Sequence, residues 1–169
     1  MTGASTTNHR LETAAMIEIN SILLPTDFSE PSLEATRYAV EFARRFGATL
    51  HLLNVIEDPV VYLPMFESYP LPSREDFEQY AQTRLENWIS DEEVADLELV
   101  FAWRHGAPVL RIIEYAGGES VDLIVVGTHG HGMAAHLLLG SVAEKVIRKA
   151  PCPVLAIRPG EHGFVHPAT

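Results

Sequence analysis

Short apolar runs alternate along the chain with longer segments in which apolar residues recur every three or four positions. The runs at 22–24, 50–56, 97–103, 121–126 and 154–157 are rich in Val, Ile and Leu, as strands buried on both faces are. Between the first two, Ala35, Tyr38, Ala39, Phe42, Ala43 and Phe46 form one helical stripe, and Gly47 is placed to end it. A weaker stripe, Phe77, Tyr80, Ala81, Leu85, Trp88 and Ile89, predicts a second helix. Val109, Ile112, Ile113 and Ala116 predict a third, ending before Gly117-Gly118, and Leu139, Val142, Ala143, Val146, Ile147 and Ala150 a fourth. The resulting βαβαβαβαβ pattern reads as an α/β fold, a doubly wound five-stranded parallel sheet with helices on both faces. Right-handed crossovers leave few strand orders, of which 3-2-1-4-5 is expected.

Composition narrows the function classes. The chain has 169 residues, 47% of them apolar, enough for one full core and too few for two ordinary domains. The expected organisation is a flexible extension over 1–16, one domain over 17–158 and a tail over 159–169. A net charge of -11, from 12 basic and 23 acidic residues, repels nucleic acid and anionic membrane. Neither a signal-peptide core nor a membrane-length apolar run stands out, so a soluble cytoplasmic protein is expected. Cys152 lies between two prolines, has no second cysteine to pair with, and reads as a buried, inert thiol.

Candidate chemistry gathers in "GTHGHGMAAHLLLGS" at 127–141. Glycine at that density costs backbone entropy and marks sharp turns or close approach to another molecule. Gly127 falls at the end of the fourth strand, and Gly140-Ser141 near the start of the fourth helix. Ser141-x-x-Glu144 has the spacing of a capping box, which places a helix N-terminus there. Amides from a glycine-rich loop and a helix start, converging on one point, favour an anion such as phosphate. In the expected order the first strand lies beside the fourth, and it ends in Pro25, Thr26 and Asp27, at the crevice where such sheets take ligands. A carboxylate would be repelled by phosphate, so Asp27 suits the ribose hydroxyls or adenine amine of a nucleotide. Its other reading is a helix cap, made with help from Ser29. The four prolines of 58–72 predict a long loop on the same side of the sheet, either a part that moves with the ligand or a packed surface loop.

Gly127-x-x-Gly130, nine residues, then Gly140-Ser141 resembles the GxxGx9G[S/T] pattern of the ATP-binding branch of the universal stress protein family. "ILLPTDFSEPSLEATRYAVEFARRFGATLHLLNVIED" and "GSVAEKVIRKAPCPVLAIRP" are similar to that family's two ends. The resemblance implies a Rossmann-like fold of the adenine nucleotide alpha hydrolase type, with ATP, ADP or AMP as ligand. It places phosphates and ribose on Gly127, Gly130, Gly140, Ser141 and Val142, with Val126 and His129 beside them. Asp27 with Pro25 and Thr26 would take the adenosine end, and the backbone of Val55 the adenine edge. Mg²⁺ arriving with the nucleotide would complete the charge balance, with no metal ligand expected from protein side chains. The family's other branch lacks these glycines and binds no nucleotide.

No catalytic set can be assembled around this ligand, and Walker A's GxxxxGK[ST] is absent. "GHGMAA" at 130–135 fits a variant dinucleotide fingerprint, but the chain after it lacks an acidic residue at the end of its last strand. His129, His131 and His136 match no regular zinc spacing. The resemblance therefore implies a nucleotide-responsive stress or signalling module reporting to an unidentified protein partner. Slow ATP hydrolysis and a ligand-free structural dimer are the alternatives. The fifth strand, 154–157, is an edge without charge, which predicts a homodimer through paired edges, or else cover from the C-terminal tail.

Overall fold

A computed structural model describes residues 17–57, 72–128 and 140–158. Within it β1 (Ser21–Pro25), β2 (Thr49–Ile56), β3 (Leu99–His105), β4 (Leu123–Gly127) and β5 (Val154–Ile157) run parallel in the order β3-β2-β1-β4-β5. The helices are α1 (Glu30–Phe46), α2 (Arg74–Glu86), α3 (Asp91–Val94), α4 (Pro108–Gly118) and α5 (Ser141–Lys149).

Side chains alternate between the two faces of a strand, and both faces are covered. Ile22, Leu24, Leu50, Leu52 and Val125 pack with Ala35, Ala39 and Ala43 of α1 and Leu85 of α2. Leu23, Leu53, Ile124 and Val126 point the other way, onto Ile112, Tyr115 and Ala116 of α4 and Ala143 and Val146 of α5. Burial on both sides is why the strands read as unbroken apolar runs. One polar residue interrupts the second face: buried His51 lies with Nδ1 2.9 Å from the Tyr115 hydroxyl. Burial pushes the His51 pKa below its ordinary value and that of Tyr115 above; both shifts favour the neutral pair.

Helix α1 carries consistent signals at both ends. Ser29 is its N-cap with Pro31 in the first turn, and Gly47 closes it at φ 66° with an N–H bond to the Ala43 carbonyl, a left-handed conformation that costs glycine little. Three expectations are corrected. Helix α2 ends at Glu86, so Trp88 and Ile89 of its predicted stripe reach the core from beyond the helix, and short α3 follows. α4 runs two residues further than its stripe, with Gly117 and Gly118 as its last two residues, the Glu119 N–H bonded to the Tyr115 carbonyl and Ser120 at φ 52°.

The third correction concerns α5, whose N-cap is Gly140. Ser141 and Glu144 are one position too late to form the predicted capping box. The capping box that does form is at α2: Ser73 Oγ accepts from the Asp76 amide at 3.1 Å, and the Asp76 carboxylate accepts from the Ser73 amide at 2.7 Å. Cys152 is half-buried and burial pushes its thiol pKa up, in keeping with an unreactive thiol. Among the described residues no helix is long and apolar enough to cross a membrane.

Candidate functional site

The sheet opens between the carboxyl ends of β1 and β4. β1 and β4 pair only through Ile22 with Leu123 and Leu23 with Ile124. Beyond those pairs each follows its outer neighbour: β1 stays in register with β2 through Pro25 and Leu53, and β4 with β5 through Gly127 and Ile157. Thr26 N–H donates to the Leu53 carbonyl at 2.9 Å. Because N–H directions alternate along a strand, the Pro25 nitrogen faces β4, where the ladder has stopped and no donor is required. On the far side Thr128 N–H donates to the Ile157 carbonyl at 2.8 Å. The crevice therefore follows from where the hydrogen bonds stop.

One wall is the turn from β1 into α1. Pro25 and Thr26 are buried and Asp27 is exposed. Oδ1 of Asp27 accepts from the Ser29 amide at 3.1 Å, from Ser29 Oγ at 2.5 Å and from Ser32 Oγ at 2.6 Å. Asp27 is not the cap of α1, since Ser29 holds that position, but its carboxylate braces the turn into the helix through two hydroxyls. Buried Asn54 locks the same turn from β2, its amide donating to the Thr26 carbonyl at 2.9 Å. The sequence carries a signal for Asn54, a polar residue inside the apolar run of "LHLLNVIED".

The opposite wall is the end of β4 and the start of α5. Val126 is buried in the α4–α5 half of the core, and half-buried Val142 and Val55 pack onto that half from α5 and β2. Gly127 lies against α1, since a Cβ built on it would come 2.6 Å from the Pro31 carbonyl oxygen. Its missing side chain is therefore taken up by a helix, whatever else it offers a ligand. Gly140 N–H donates to the Thr128 carbonyl at 2.5 Å, so its own amide is committed. With glycine as N-cap there is no cap side chain to cover the following amides, and among the described residues none covers those of Ser141 and Val142 at the helix's positive end. His129, Gly130 and the segment up to residue 139 lie outside the described residues, as do residues 58–71 of the predicted long loop. Among the described residues no cluster of three or more His, Cys, Asp or Glu could hold a metal.

What this arrangement offers is a carboxylate on one wall and main-chain donors on the other. A group with an anionic end and a hydroxyl- or amine-bearing end matches it. Comparisons with known proteins point the same way. Residues 18–158 match the model of the universal stress protein family. A universal stress protein of Methanocaldococcus jannaschii is 37% identical over 138 residues, 81% of each chain. One from Thermus aquaticus is 35% identical over 82% of this chain and 98% of its own. Among solved structures, a universal stress protein in complex with cAMP superposes with a TM-score of 0.60 at 27% identity, over 84% of this chain and 98% of that one.

Proposed function

Because the chain belongs to the universal stress protein family, we propose that the crevice between β1 and β4 binds an adenine nucleotide, with ATP, ADP and AMP as the candidate ligands. The observation that carries this reading is the wall of α5: a glycine N-cap leaves the amides of Ser141 and Val142 uncapped at a helix start, beside a strand end already parted from its neighbour. A related protein holds cAMP, a molecule with the same adenine, ribose and phosphate parts. Residues 17–158 form the binding unit. Gly127, Gly130, Gly140, Ser141 and Val142 take the phosphates and ribose with Val126 and His129 adjacent, Asp27 on the Pro25–Thr26 turn takes the hydroxyls, and the Val55 backbone the adenine edge. Mg²⁺ enters with the phosphates, which supply its ligands. No nucleophile or base completes a catalytic set among these residues, so the nucleotide acts as a signal, and any hydrolysis is slow.

Calorimetric titration with ATP, together with mass spectrometry of the denatured, freshly purified protein, tests the reading. One nucleotide per chain is expected, with binding abolished in Gly130→Val and weakened in Asp27→Ala. Neither heat nor recovered nucleotide would refute it. Steady phosphate release that disappears in Gly130→Val would transfer the protein to the enzymes. The same reading includes a homodimer through β5, supported by an edge strand whose Val154, Leu155 and Ala156 are only partly covered and which carries no charge.

A further inference from the structure

The residue after Asp27 holds an unusual conformation. Phe28 has φ 62°, a region that glycine enters freely and that is a genuine outlier for a bulky side chain. Such strain persists only where the surroundings over-determine it, and here they do so from a distant part of the chain. The Phe28 ring meets Trp88 edge-on, centroids 5.5 Å apart at 64°, and the Arg84 guanidinium lies 4.9 Å from its centre. The Phe28 amide donates to Thr26 Oγ1 at 3.0 Å.

A second route leads from the same tryptophan back to the same aspartate. Trp88 Nε1 donates to Thr36 Oγ1 at 2.8 Å, Thr36 Oγ1 donates to the Ser32 carbonyl at 2.8 Å, and Ser32 Oγ donates to Asp27 Oδ1 at 2.6 Å. Asp27, Phe28, Trp88, Thr36 and Ser32 thus close a ring of contacts. Thr36 and Ser32 are buried, so those links are shielded from water. Asp27 and the indole are thus anchored to the same two residues, to Phe28 directly and to Ser32 through its hydroxyl on one side and its carbonyl on the other.

We infer that Phe28 is a positioning residue for the nucleotide site, holding Asp27 in its working direction. By the same ring Trp88 senses whether Asp27 is engaged, and conveys that state to the end of α2. This inference rests on the nucleotide reading of the crevice and adds to it a route by which occupancy leaves the site. Coupling of this kind is reciprocal: a ligand that fixes Asp27 must alter the surroundings of Trp88, and loosening Trp88 must weaken the ligand.

The chain has two tryptophans, so Trp103→Phe leaves Trp88 as the sole indole reporter. In that background ATP is titrated by calorimetry and by tryptophan emission, well below the melting temperature so that lost stability does not enter. Emission is expected to change with the same midpoint as the heat. Phe28→Ala should weaken ATP binding roughly tenfold and Arg84→Ala roughly threefold, with Phe28→Tyr restoring the affinity that Phe28→Ala loses. A Phe28→Ala protein that melts earlier yet binds ATP with unchanged affinity would reduce Phe28 to a packing residue, and emission indifferent to bound ATP would sink the sensing role. If the parent protein binds no nucleotide, the function proposed above fails by itself. The amide resonances of Asp27 and Ser29 then decide the positioning separately: they should move in Arg84→Ala and Trp88→Phe, and resonances that stay in place overturn it.

Discussion

Gly127 has two claims on its missing methyl group. Its place at the end of β4 suggested close approach of a ligand, while the structure puts the Pro31 carbonyl 2.6 Å from where a Cβ would stand. The obstacle is backbone rather than a flexible side chain, so Gly127→Ala must push the first turn of α1 away. A loss of about 1–3 kcal/mol in urea unfolding is expected, with Asp27 displaced along with the turn. His51 offers a test by pH. Its folded pKa lies below the ordinary value because burial penalises the charged imidazole, so below that ordinary value, about 6.5, the unfolded chain binds more protons. Stability is therefore full above that pH and falls as pH drops toward the folded value. Urea midpoints at about pH 7.5 and 5.5 should differ less in His51→Gln than in the parent chain, and equal differences would remove His51 from the acid response. Residue chemistry was only partly legible beforehand. Asp27 and the glycines stand out by type, whereas nothing local to Phe28 announces φ 62°, because the contacts that enforce it come from Arg84 and Trp88.

At the scale of elements, helix ends separate what sequence alone decides from what the fold decides. α1 was readable because its stripe, Pro31 and Gly47 all agree. The two Ser-x-x-acid spacings are a sharper case, since the one at Ser141 fails and the one at Ser73 forms. Residues on either side do not tell them apart. Gly140 becomes the N-cap of α5 with its amide tied to Thr128, a contact across the segment 129–139, and the helix then starts one residue before the box would allow. Ser73→Ala should accordingly lower stability by about 1 kcal/mol, measured by chemical denaturation. Ser141→Ala should change it by no more than a few tenths, since its hydroxyl does not cap the helix. Had Ser141 been the cap, the two costs would match. The pair Gly117-Gly118 is a fairer signal, since α4 stops at the second of them.

For the whole molecule, strand order was the most legible property, since alternating strands and helices with one crossover hand leave few arrangements. The position of the crevice came with it. Which distant residues meet there did not, and Asn54, Ser32 and Trp88 each reach the site from elements that order alone cannot aim. The edge position of β5 belongs to this scale too. Light scattering at micromolar concentration should give twice the chain mass, and Ala156→Lys should halve it while ATP affinity holds. A monomeric parent chain would leave the edge to some other cover. A last consequence lies in the 2.5 Å bond between Gly140 and Thr128. It joins the two ends of 129–139 at the scaffold, so the span that the intervening chain must bridge is set by the sheet and helix and not by the sequence between them. Exchanging 129–139 between related proteins should therefore alter only the contacts that His129 and Gly130 make, while Asp27 and Val55 on the sheet keep theirs.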